Sequence, residues 1–186
     1  LMSPEGCFTD FHVDFGGSSV WYHVVRGSKV FYFCPPTEAN LRDFEAWSKS
    51  QNQATELLPE RFLPRKVLSR LVLGAGDTLL LPSGWLHAVW TPEDSIVFGG
   101  NFIHALAVET QFQISRLEDR LRVQAEARLP FFEMNLWMVA VRAFFKLTHL
   151  YELLNGLAQQ NHQTKTSGDD DDKRSNDSSL CCRTVA

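Results

Sequence analysis

The chain has 186 residues, 44% hydrophobic and 12% aromatic, enough for one domain of ordinary size with a packed core and a tail. Its 18 Lys and Arg stand against 22 Asp and Glu, a formal net charge of −4 that argues against a broad surface for naked nucleic acid. The cysteines, Cys7, Cys34, Cys181 and Cys182, form neither a zinc-type spacing nor a disulfide framework, so a reducing compartment is expected. The first residues lack a secretory pattern. The most apolar later region, Leu136 to Val141, is flanked by Glu133, Asn135, Arg142 and Lys146 and is too short for a bilayer, which needs roughly 20 apolar residues. No membrane association is expected. The abrupt start, without an initiator Met, reads as that of a fragment.

Phe8 to Phe15 alternates as a strand would, which sends His12 and Asp14 to one face and Phe11, Val13 and Phe15 to the other. Gly16-Gly17 predicts a sharp turn. Val20 to Val25 is a second strand, Arg26-Gly27-Ser28 its hairpin turn, and Lys29 to Phe33 a third strand that ends at Cys34-Pro35-Pro36. Glu38 to Ser50 reads as a surface helix, N-capped by Thr37, with Leu41, Phe44 and Trp47 on one side. Gln51 to Lys66 reads as an inserted loop. Strands then resume at Val67 to Leu73, Thr78 to Leu81, Trp85 to Trp90 and Ser95 to Phe102, with Gly, Pro and Asp turns between them. Short strands at regular spacing predict an all-β barrel or sandwich.

Beyond that the pattern turns helical. Val108 to Glu126 is amphipathic through Phe112, Leu117 and Leu121; Pro130 interrupts; Phe131 to Leu157 resumes as a longer, more apolar helix. The expected organisation is a β domain over 1–105, a helical region over 106–157 and a disordered tail over 158–186.

The chemistry concentrates in two places. T-D-F-H-V-D-F-G-G sets His12 and Asp14 two residues apart in a strand-like run, and P-S-G-W-L-H-A-V supplies His87 in another. Two imidazoles and one carboxylate on facing strands make the facial triad of non-haem iron(II) oxygenases, which leaves metal positions open for a second substrate and dioxygen. A closed zinc site would want four N or S ligands. Lys29 falls in V-R-G-S-K-V-F-Y, where it either points to solvent or faces inward and meets an anion. Thr9, three residues before His12, adds a hydroxyl for the same anion. Iron with an inward cation suits a dicarboxylate that chelates the metal at one end and meets Lys29 at the other, which is 2-oxoglutarate chemistry. His23 and His104 read as core or rim histidines, His149 and His162 as ordinary helix and tail residues, and Trp21, Trp85 and Trp90 as packing. Asp169 to Asp172 with Lys173-Arg174 reads as a solvated tail.

T-D-F-H-V-D-F-G-G-S-S-V-W-Y-H-V-V-R-G-S-K, P-S-G-W-L-H-A-V-W-T-P and F-G-G-N-F-I-H resemble the JmjC-domain histone lysine demethylases, most closely the branch whose members also carry F-box, CXXC or PHD modules. The resemblance runs from about Gly6 to Leu157 and includes P-F-F-E-M-N-L-W. It implies a double-stranded β-helix of the cupin or jelly-roll type, mainly β, lacking its N-terminal strands and followed by C-terminal α-helices. Family members build a strand beside the last one from sequence ahead of the first motif, so a sheet edge and part of the pocket are expected to stand open. It also implies iron(II) ligation by His12, Asp14 and His87, 2-oxoglutarate on Thr9 and Lys29 with Tyr22 beside it, and Asn101 near the substrate lysine. The implied reaction uses dioxygen, converts 2-oxoglutarate to succinate and removes an N-methyl group as formaldehyde. The implied substrate is mono- or dimethyl-lysine of the histone H3 tail: lysine-36, or lysine-9 and lysine-27 where a PHD finger is attached. A nuclear chromatin regulator follows, recruited through modules outside this sequence. Two other readings stay open: a catalytically silent chromatin adaptor, and a 2-oxoglutarate-dependent protein hydroxylase.

Overall fold

A computed structural model describes residues 1–50, 58–62 and 67–176. The chain divides into two compact units, Leu1–Phe132 and the part from Glu133 onward. In the first, the described residues form eight strands in two four-stranded antiparallel sheets, a mainly β, cupin-like jelly roll with C-terminal helices, as expected. The strands are β1 (Met2–Ser3), β2 (Phe8–His12), β3 (Ser19–Arg26), β4 (Lys29–Cys34), β5 (Ser69–Leu73), β6 (Thr78–Leu81), β7 (Leu86–Trp90) and β8 (Ser95–Phe102). One sheet has the order β1-β8-β3-β6 and the other β2-β7-β4-β5.

Alternation along β4 and β7 shows how the sequence builds two cores from one sheet. Phe31 and Phe33 face inward and join Val24, Leu73, Leu81 and Val97 in the cluster between the sheets. Cys34, Leu86 and Ala88 face outward. They pack beneath three helices: α1 (Glu38–Lys49) with Phe44 and Trp47, α2 (Leu58–Phe62) with Leu58 and Phe62, and α3 (Val108–Leu121) with Ile114 and Leu117. α1 is capped as its sequence predicts, the Thr37 hydroxyl accepting from the Asn40 N–H. Arg120 of α3 grips the Glu45 carboxylate of α1 through Nε at 2.9 and 3.0 Å and ties the two helices together.

Several expectations need correction. Gln51 to Lys66 is not all loop: α2 occupies its middle and puts Leu58 and Phe62 in the core, while 51–57 and 63–66 lie outside the described residues. β2 stops at His12, and Phe15–Gly17 forms a 3-10 turn instead of continuing the strand. α3 ends at Leu121, where Arg122 adopts a left-handed conformation, and not at Glu126. Its buried face is Gln111, Ile114, Leu117 and Glu118; Phe112 lies exposed, one position off that stripe. Trp85 packs against the inter-sheet cluster, but Trp21 and Trp90 are each about two-fifths exposed.

β8 receives only Met2 and Ser3 of β1 on its outer side, so from Phe98 to Phe102 that edge carries no strand among the described residues. In the second unit a single helix, α4 (Phe132–Asn176), runs past Leu157, where the polar composition predicts order to end; no proline interrupts it. Met134, Trp137, Met138, Val141 and Phe145 recur at helical spacing along it and are exposed. No helix among the described residues is long and apolar enough to cross a membrane.

Candidate metal centre and its cavity

β2 and β7 are antiparallel neighbours, with His12 directly opposite His87 and Thr9 opposite Val89. Three steps on β2 therefore match two on β7, so β2 carries a bulge between Thr9 and His12. The bulge decides the site. In a regular strand, residues three apart face opposite ways, whereas here Thr9 and His12 both line the cavity between the sheets.

Asp14 lies just past β2, in extended backbone before the left-handed Gly16 and Gly17. That turn is held from two sides. The Gly16 N–H donates to the Glu118 carboxylate of α3 at 2.7 Å, and the Ser83 hydroxyl, in the turn ahead of β7, donates to the Gly17 carbonyl. A Cβ on Gly17 would stand 3.1 Å from Ile114 of α3, so only glycine gives both the φ of +61° and the close approach. Ser83 thus joins the turn behind Asp14 to the turn ahead of His87.

The outcome is a convergence of three ligand atoms. One from each of His12, Asp14 and His87 lies within 4.8 Å of the other two. His87 Nε2 is 3.8 Å from Asp14 Oδ2, and the two imidazole centroids are 4.2 Å apart at 50°. Each ring is oriented by main chain: His12 Nδ1 lies 2.8 Å from the Asp10 carbonyl and His87 Nδ1 3.1 Å from the Trp85 carbonyl. A carbonyl only accepts, so both Nδ1 atoms carry a proton, and Nε2 is the atom each ring has left to offer a cation. Burial and the neighbouring His12 pull His87 down to about 4, which keeps it neutral at physiological pH. A neutral imidazole is the form that binds metal.

The cavity encloses about 380 Å³. Lys29 lines its wall, 2% exposed, so the inward alternative holds. Its Nζ donates to the Thr91 hydroxyl at 2.7 Å. Burial lowers the Lys29 ammonium from its ordinary value, and the nearby Cys7 thiol partly offsets that. Tyr22 of β3 faces in from the opposite sheet, edge-on to Phe31, and burial raises its phenol to about 12, so it stays a protonated donor. Asn101 of β8 also lines the cavity and donates to the Ser18 hydroxyl at 2.9 Å. All seven residues singled out in the sequence thus border one cavity.

Sequence reasoning passed over two polar residues of the cavity wall and one behind it. Thr91 and Cys7 share the Lys29 end, and Glu118 sets the turn behind Asp14. Thr91 was readable from alternation along β7, since His87, Val89 and Thr91 share a face. Among the remaining histidines, His23 contacts Thr78 at 2.8 Å and His104 contacts Ser19 at 3.3 Å, both away from the triad.

A family profile described as "JmjC domain, hydroxylase" matches residues 1–102. The chain is 49% identical over 142 residues to lysine-specific demethylase 2A of Xenopus tropicalis, covering 76% of this chain and 12% of that protein. It is 49% identical over 148 residues to lysine-specific demethylase 2B of Mus musculus, covering 80% and 11%. To lysine-specific demethylase 7A of Danio rerio it is 46% identical over 154 residues, covering 82% and 17%. The chain spans less than a fifth of the length of these curated relatives.

Proposed function

The chain belongs to the JmjC-domain family, and on that premise we propose that it is catalytic-domain sequence of an iron(II)- and 2-oxoglutarate-dependent histone lysine demethylase. The observation that carries this is the convergence of His12, Asp14 and His87 on one wall of a cavity that also buries Lys29. The donor set fits the metal: two imidazole nitrogens and one carboxylate oxygen, with no fourth protein ligand among the described residues to close the site, match iron(II) with open positions. When bound, iron would supply activation of dioxygen coupled to decarboxylation of 2-oxoglutarate to succinate, with the N-methyl carbon lost as formaldehyde.

The chain's own residues do the rest. His12, Asp14 and His87 hold the metal, their orientation fixed by the Asp10 and Trp85 carbonyls and by the clamped turn after Asp14. Lys29 and Thr9 take the distal carboxylate of 2-oxoglutarate, since a buried ammonium needs an anion to offset its desolvation. Tyr22 stays neutral and stands beside the cosubstrate as a hydrogen-bond donor. Asn101, fixed by Ser18, borders the methylated lysine. The substrate is mono- or dimethyl-lysine of the histone H3 tail, lysine-36, or lysine-9 and lysine-27. The setting is nuclear, with chromatin targeting from modules outside this sequence.

Mass spectrometry on a panel of methylated H3 peptides with iron, ascorbate and 2-oxoglutarate tests the reading. The expected result is stepwise loss of methyl mass with one formaldehyde per methyl group, abolished by His12→Ala. A stable hydroxylated peptide without formaldehyde would make the chain a protein hydroxylase, and no turnover with retained histone binding would make it an adaptor. Independently, His87→Ala should weaken Mn(II) binding by more than about a hundredfold, read by calorimetry, because removing a ligand costs more than removing a group that merely orients one.

A further inference from the structure

Thr91 stands one residue beyond β7 and is 2% exposed. Its backbone is fixed on both sides: its N–H donates to the Cys7 carbonyl and its own carbonyl accepts from the Gly6 N–H, each at 2.8 Å. Alternation along β7 sends His87, Val89 and Thr91 into the same cavity. One strand therefore carries a candidate metal ligand near one end and a hydroxyl past the other, about 13 Å apart along the backbone at the usual rise per residue. Lys29, first residue of β4, lies across from that hydroxyl and donates to it at 2.7 Å.

A lysine ammonium on its four-carbon stem samples many positions unless something fixes it. Thr91 is a buried, rigidly placed acceptor for it. Having accepted one N–H, the Thr91 oxygen still has its own proton to donate, and Nζ has two further N–H groups. Both sets of donors border the cavity. We propose that Thr91 is a positioning residue, which holds the Lys29 ammonium so that the two side chains together seat the distal carboxylate of a dicarboxylate 2-oxo acid. This rests on the dioxygenase reading above and adds a residue outside both the metal triad and the Thr9–Lys29 pair. Without the hydroxyl, the ammonium loses its fixed partner and the carboxylate loses a donor, while the metal end is untouched.

Calorimetric titration of the Mn(II)-loaded chain with 2-oxoglutarate and, separately, with oxalate separates the two ends of the cavity. Oxalate chelates metal but has no distal carboxylate. Thr91→Val should weaken 2-oxoglutarate binding about tenfold or more, the scale of one hydrogen bond to a charged group. Oxalate should bind Thr91→Val and wild type alike. Thr91→Ser, which keeps the hydroxyl, should restore 2-oxoglutarate affinity to within about threefold of wild type. In a Lys29→Met background, Thr91→Val should cost less than it does beside Lys29, because only the hydroxyl's own donation is left to lose and the ammonium it positions is gone. The proposal is overturned by unchanged 2-oxoglutarate affinity in Thr91→Val, by an equal loss for oxalate, by failure of Thr91→Ser to rescue, or by an undiminished effect beside Lys29→Met. Wild-type chain that takes up Mn(II) but no 2-oxoglutarate overturns the cosubstrate reading itself, and chain that takes up no Mn(II) overturns the metal reading, each a different result from those four.

Discussion

The two sheets carry unequal shares of the site. β2-β7-β4-β5 bears His12, His87 and Lys29, with Asp14 and Thr91 just past its strands, whereas β1-β8-β3-β6 contributes Tyr22 and Asn101. The first sheet is backed by α1, α2 and α3, which bury the centre of its outer side at Cys34, Leu86 and Ala88 and leave Phe8, Val72 and Trp90 at its margins exposed. The second leaves Leu80 67% and Phe98 63% exposed, with Trp21 beside them. The three candidate metal ligands thus stand on, or just past, the sheet whose back is packed against helices, where close packing resists displacement of a side chain. The groups that only flank the cavity stand on the sheet with an open outer face.

The sharpest way to break this contrast is to hollow each outer face in turn. Phe62, fully buried under the first sheet and edge-on to Phe11, should cost about 3 to 5 kcal/mol when cut to alanine, whereas Phe98→Ala on the open face should cost under about 1 kcal/mol. Denaturant unfolding measures both, and equal losses would mean that the helices do not buttress the site.

A smaller effect is expected from pH, through His87 on the buttressed sheet. Folding lowers this imidazole from 6.5 to about 4. Between those values the unfolded chain takes up a proton that the folded chain refuses, so the stability His87 contributes is complete above pH 6.5 and is lost as pH falls toward 4. Metal-free wild type should lose about 3 kcal/mol more than His87→Gln over that interval. Parallel stability curves for the two proteins would contradict a buried, neutral imidazole.

The smallest effect concerns the link between α3 and the turn after Asp14. Burial raises the Glu118 carboxyl, with the Gly16 N–H pulling the other way. A raised acid holds its proton longer in the folded chain than in the unfolded one, so its contribution is present at low pH and lost as pH rises through the shifted value. Glu118→Gln keeps an acceptor for Gly16 without the charge. It should leave Mn(II) affinity unchanged and slightly raise stability at pH 7, both read on one sample by calorimetry and thermal unfolding. Glu118→Ala, which drops the acceptor, should lower metal affinity.

Much of this was legible because alternation and turn chemistry are local. β4, β6 and β8 start where their residues predict, Thr37 caps α1, and His12 with Asp14 stands out within five residues of chain. What stayed hidden depends on contacts between distant segments. α2 is a single turn of helix in a polar stretch, too short to show a period, and only its place under the sheet reveals Leu58 and Phe62 as core. The β2 bulge that aims Thr9 into the cavity is a mismatch of register with β7. Likewise, nothing near Glu118 in the sequence says that its partner is Gly16, 102 residues earlier.

Ser83 and Gly17 are hydrogen-bonded across a separation of 66 residues, and this bond brackets the whole of β3 through β6 between the two arms of the triad. The triad therefore has only a partial local precursor: before the sheets close, His12 and Asp14 are neighbours and His87 is far along the chain. A metal held by all three would in consequence gauge finished folding, arriving late on the pathway and not seeding it.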